Sequence, residues 1–182
     1  MINILNNGFT GTPGKFLNEL KSSSSHFNEM ESLKGKYLLA NGAFTGVFQK
    51  PNDSDNIQVV SMQHGKKSFK EELFKSYPDL NFFPLEDKYF ETWLETRLEP
   101  ILLEDEEFFN FIDSFTADEI LNGALLEFDY DDYHCSLMKA ITIATKAYKD
   151  SDLSYHGDME LDMHANQFAR HVQSDTIICI DL

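Results

Sequence analysis

Cysteine, basic residues and long apolar runs are all scarce in this chain, and each shortage narrows what it does. Cys135 and Cys179 are its two cysteines. That is too few for a disulfide-stapled scaffold, so the expectation is a reduced, cytoplasmic protein with free thiols, although one disulfide stays open. No apolar stretch approaches the roughly 18–20 residues of a membrane helix, so no membrane partner is expected. The opening MINILNNGFTG has neither the basic region nor the long apolar region of a secretory signal. Neither Gly-x-Ser-x-Gly nor Cys-x-x-Cys occurs. GTPGK (Gly11 to Lys15) lacks the Walker spacing and reads as a turn. The neighbours His134 and Cys135 have no visible third partner for thiolate chemistry, and Cys135 is expected to be buried on a helix.

The shortage of bases is the most informative. Fifteen Lys and Arg face 31 Asp and Glu across 182 residues, a net charge of −16. Up to Ser76 the chain is near neutral, with nine lysines against seven acids. Tyr77 to Asp132 then carries 17 acids and only Lys88 and Arg97. Such a field repels nucleic acid, excludes direct DNA or RNA binding on that face, and attracts basic partners. A solvated surface that keeps the protein soluble explains the same excess.

The chain length suits one domain or two small ones. Met1 to Leu5 reads as a short strand and KFLNEL as a helix start. KYLLANGAFTGVFQK and DNIQVVSM read as strands, with the glycines of NGAFTG marking a bulge or hairpin bend. From Ser68 onward helical spacing is expected. It appears in SFKEELFKSY, then in LEDKYFETWLETRLEPILL with Phe90, Leu94, Leu98 and Ile101 on one face. DEEFFNFIDSF, TADEILNGALLEF with a Thr116–Glu119 capping box, and DYHCSLMKAITIATKAYK follow. LDMHANQFARHV is expected to be helical and TIICIDL a buried closing strand. The resulting expectation is an α+β fold with a strand-rich, near-neutral part at 1–76 and an acidic, mostly helical part with a closing strand at 77–182.

On the expected helix around Trp93, Glu91, Glu95 and Glu99 would stack on one face about 6 Å apart. Like charges so spaced cost a helix roughly 0.2–0.5 kcal/mol per pair, which suggests selection for something other than stability. With Glu104, Asp105, Glu106, Glu107, Asp129, Asp131 and Asp132 they make the candidate partner-binding set. Ordered carboxylates of this kind can imitate the phosphates of a duplex. Interleaved aromatics would be core or, where exposed, interface anchors.

A second constellation is YHGDMELDMH, which holds His156, Asp158, Glu160, Asp162 and His164. As a helix it would put His156, Glu160 and His164 on one stripe; as a strand it would put all five on one face. A divalent-metal site there would make the chain a metal-dependent nuclease, with Lys66, Lys67, Lys70 and Lys75 holding an RNA backbone. The alternative is an acidic helix start favoured by the helix dipole, with no cofactor.

The segment LDMHANQFARHVQSDTII resembles the closing segment of ArdA-type antirestriction proteins. The matching positions are Leu161, Asp162, Phe168, Ala169, Arg170, Asp175 and Ile177. FDYDDYHCSLMKA is similar to that family's acidic segment before a helix, and INILN to its start. The resemblance implies an elongated DNA mimic, often a homodimer, carried by mobile elements. Its partner would be a basic nucleic-acid-binding protein such as a restriction enzyme. An anti-CRISPR protein and an immunity protein against a nuclease toxin share the same physical logic. The leading expectation is therefore a non-enzymatic inhibitor, and the metal-dependent nuclease is the runner-up.

Overall fold

The computed structural model describes residues 30–42, 44–101, 105–153 and 164–181. The fold is mixed α+β: a five-stranded sheet toward the N-terminus, helices in the middle and a closing C-terminal strand. It forms two compact units, Met1–Lys67 with Pro78–Arg97, and Ser68–Tyr77 with Leu98–Leu182. The division therefore differs from a single cut at residue 76, because 78–97 joins the first unit and 68–77 the second.

In the first unit, β1 (Tyr37–Asn41), β2 (Thr45–Gln49) and β3 (Asn56–Ser61) form the expected antiparallel strands. A bend at Gly42, whose N–H bonds Thr45 O at 2.9 Å, closes the first hairpin. The helix α1 (Lys66–Phe74) follows, with Lys66 and Lys67 in the first unit and the rest in the second. The chain then returns as β4 (Phe82–Leu85) and β5 (Glu91–Thr96), giving the order β1-β2-β3-β5-β4.

Here the expectation of a long helix around Trp93 is overturned. β5 is a central strand paired with β3 and β4, and it is buried on both faces, Thr92 and Thr96 on one and Trp93 and Glu95 on the other, so no polar–apolar alternation marks it as a strand. Phe90, Leu94 and Leu98 imitate helical spacing by coincidence. The structural signals are Pro84 in β4, β-branched Thr92 and Thr96, and an Asp87 turn whose carboxylate accepts from the N–H of Tyr89 and Phe90. Alternation puts Glu91, Trp93 and Glu95 on one face, where Ile57, Val59 and Trp93 form a core cluster. The other face buries Leu38, Phe48 and Val60 against Met30 and Leu33.

The second unit starts with β6 (Glu99–Pro100) and continues through α2 (Glu106–Ile112), α3 (Ala117–Leu121) and the long α4 (Asp132–Asp150). The Thr116–Glu119 capping box forms at the start of α3 as expected. Buried Leu137, Ile141 and Ala144 give α4 its apolar face, and α4 packs against the closing strand. The expected helix at LDMHANQFARHV is a short 3₁₀ turn, Ala165–Gln167, leading into β7 (Phe168–His171). β7 hairpins onto β8 (Thr176–Cys179). Asp175 takes a left-handed φ of 54° in that turn and pairs with Arg170 at 2.6 Å. The positions that carry the antirestriction resemblance from Phe168 onward therefore sit in a β-hairpin rather than at a helix end. Leu161 and Asp162 lie outside the described residues, as do Met1 to Leu5, GTPGK and KFLNEL. Among the described residues, no helix is long and apolar enough to cross a membrane.

Candidate functional site

The ten candidate acids divide into inward and outward groups. Glu91 points into the first unit and caps α1. Its Oε1 accepts from Gly65 N at 2.8 Å and its Oε2 from Lys67 N at 2.7 Å, with His64 Nδ1 3.0 Å from Oε1. The first turn of α1 has no acid of its own, so the strand supplies the negative charge that the helix dipole favours. Glu95 is 5% exposed and accepts from Trp93 Nε1 at 2.7 Å. Glu99 belongs to the other unit, exposed on β6 opposite Arg170. No face carries Glu91, Glu95 and Glu99 in a row, because the segment is two strands rather than one helix.

The remaining described candidates behave differently. Glu106, Glu107, Asp129, Asp131 and Asp132 are exposed, and Asp105 is half-buried. Glu104 lies outside the described residues. Asp105 caps α2, accepting from Phe108 N at 2.9 Å, and Asp131 caps α4, accepting from His134 N at 2.8 Å. His134 joins the two caps. Its Nε2 is 2.9 Å from Asp105 Oδ2 and its Nδ1 2.9 Å from Asp131 Oδ1. Two acid segments more than twenty residues apart in sequence thus meet at one imidazole.

That geometry favours the charged ring. A neutral imidazole has one N–H, so donating to two carboxylates requires the imidazolium. Burial opposes charge on His134, but the hydrogen bonds it donates to Asp105 and Asp131 outweigh that and raise its pKa above the ordinary 6.5. Asp105 is held below the usual carboxylate value by the Phe108 N–H and then by His134. Asp131 is lowered by the His134 N–H and then by the imidazole.

A chain of rings runs from the core of this unit to its surface. Fully buried Phe168 stacks near Phe109 at 5.7 Å, Phe109 meets Phe108 edge-on at 5.6 Å, and Phe108 lies 6.2 Å from Tyr130. Phe108 also supports His134 at 4.8 Å. Tyr130 leads to Phe128 and Phe111, and Phe111 to Phe115. Such ring pairs contribute about 0.5–1.5 kcal/mol each beyond their burial, so the acids of 129–132 stand on a stiff base. Phe128 is 43% exposed and Leu126 83%. Composition marked the acids but missed His134 and this ring network. An Asp-x-x-His spacing at 131–134 hints at one contact, and nothing in the sequence hints at the other.

The second constellation falls almost wholly outside the described residues, His156, Asp158, Glu160 and Asp162 included. His164 is described: its N–H donates to Gln167 Oε1 at 2.7 Å and caps the 3₁₀ turn. Among the described residues no group of three or more His, Cys, Asp or Glu could hold a metal. The four lysines do not form an exposed strip, since Lys66 and Lys70 are buried. Lys67 Nζ bonds Leu85 O at 3.2 Å, and Lys75 pairs with Glu72 at 2.6 Å. Cys135 is exposed at the start of α4, not buried as expected, while Cys179 is buried; the two are not joined in a disulfide.

No family model, curated protein or solved structure matches the chain.

Proposed function

We propose that this protein is a non-catalytic acidic inhibitor whose second unit occupies the basic nucleic-acid groove of a partner protein, in the manner of an antirestriction or anti-CRISPR protein. The observation that carries the reading is the meeting of Asp105 and Asp131 at His134, which joins the acid segments 105–107 and 129–132. Charge is partitioned with them. The first unit holds ten acids and nine Lys or Arg, a net of −1, whereas the second holds 21 acids and six, a net of −15. From Leu98 to Met138 there are twelve acids and no Lys or Arg at all. Field of one sign, on capped helix starts and a packed aromatic base, is what electrostatic competition with a phosphate backbone requires.

Inhibition by occupancy is stoichiometric. Titrated against restriction endonucleases and CRISPR effectors, the protein should block nucleic-acid binding near one chain, or one dimer, per site, and the block should weaken steeply with salt. Neutralising Glu106, Glu107, Asp129 and Asp132 together should relieve it. Neutralising Asp79 and Glu86, exposed acids of the first unit, should not. Full inhibition at a hundredth of the target concentration with loss on chelation would instead mark a metal-dependent nuclease, and equal inhibition by both variants would sink the charge reading.

A further inference from the structure

We propose, resting on that reading, that the ring platform of Phe111, Phe115, Phe128 and Tyr130 is a docking site for arginine side chains of the partner. Phe128 is exposed and Phe111, Phe115 and Tyr130 are half-buried. Phe111 lies 4.8 Å from Phe128 at 83° and 5.0 Å from Phe115 at 74°. Phe128 lies 6.0 Å from Tyr130, and Phe115 6.2 Å from Phe128. Rings this close touch one another, so they form a platform that receives a cation on its outside rather than an open cage. Its rim is acidic by chain position. Glu127 and Asp129 flank Phe128 in the chain, and both are exposed.

Charge complementarity selects the occupant. A second copy of this chain would bring another unit of net −15 to the same face, and a neutral apolar segment would gain nothing from the carboxylates. A cation gains from both. Between the two cations, guanidinium is planar and weakly hydrated, stacks on ring faces and bonds a carboxylate with two N–H groups at once. The ammonium of lysine is a compact, strongly hydrated point charge that uses the rim and gains less from the platform. The platform therefore converts general attraction for basic surfaces into a preference for arginine.

Fluorescence anisotropy of the full chain with labelled oligoarginine and oligolysine of equal length tests this. Wild type should bind oligoarginine about fivefold more tightly than oligolysine, the scale of a partly exposed cation–ring contact. Phe128→Leu with Tyr130→Leu should bring the ratio close to one while leaving oligolysine affinity unchanged. If that pair fails to fold by circular dichroism, Phe128→Leu alone, at the most exposed of the four rings, should lower the ratio. Glu127→Gln with Asp129→Asn should weaken both peptides alike. Equal affinities in wild type, or an unchanged ratio in the ring variants, overturns the platform; if binding stays salt-sensitive, the acidic-inhibitor reading survives. Binding of neither peptide defeats both. Sedimentation showing self-association that Phe128→Leu abolishes would assign the platform to a second copy and overturn the proposal.

Discussion

The two units use the same side chain in opposite ways. In the first, Glu91 and Glu95 turn inward, one to cap α1 and one to hold the Trp93 indole. In the second, Asp105 and Asp131 cap helices from the surface, and most of the described candidate acids around them stay in water. A run of carboxylates in a sequence is therefore not yet a charged face. Secondary structure decides which carboxylates become joints and which become field.

The largest effect that would break this contrast is expected from Glu95→Lys. It places an ammonium at a buried position and removes the partner of the indole N–H, and should cost about 3–5 kcal/mol in urea unfolding. A loss below about 1 kcal/mol would mean that Glu95 faces water after all. Glu91→Ala should cost less, about 1–2 kcal/mol, the scale of a lost helix cap. Native-state hydrogen exchange should show the loss first at the amides of Gly65 and Lys67.

The contrast sharpens with pH. His134 has a raised folded pKa, so its contribution to stability is fully present below about 6.5 and is lost as pH rises through the folded value. Asp105 and Asp131 have lowered folded pKa values, so theirs is present above about 3.8 and lost as pH falls through those values. The gap in melting temperature between wild type and His134→Phe should thus be widest near pH 5, narrow by pH 9 and narrow again in strong acid. A gap that is flat from pH 5 to 9 would show that the imidazole does not bridge the two caps as a cation. The smallest change in stability is expected from Asp129→Asn, within about 0.5 kcal/mol by the same unfolding assay, because an exposed carboxylate outside a cap holds nothing together.

Much of the fold was readable from local pattern. The strands at 37–61, the Gly42 bend, the Thr116–Glu119 box, the amphipathic stripe of α4 and the closing strand each declare themselves within a few residues. β5 did not, because a strand covered on both faces loses its period of two, and a chance four-residue spacing of Phe90, Leu94 and Leu98 filled the gap. The sequence pattern predicts a helix at β7 for a similar reason: four residues, FARH, are too few to establish a period of two.

The sequence by itself determined the α+β class, the sign of the charge and its concentration after residue 77, since composition and short-range periodicity are local quantities. Tertiary structure alone decided that Glu91 and Glu95 are internal joints, that 78–97 belongs with the first sheet, and that Asp105 and Asp131 meet at His134. They rest on contacts across long stretches of chain, 29 positions between Asp105 and His134 and 40 between the paired Asn56 and Thr96. No local pattern encodes those long-range contacts, because each depends on how the whole intervening chain folds back.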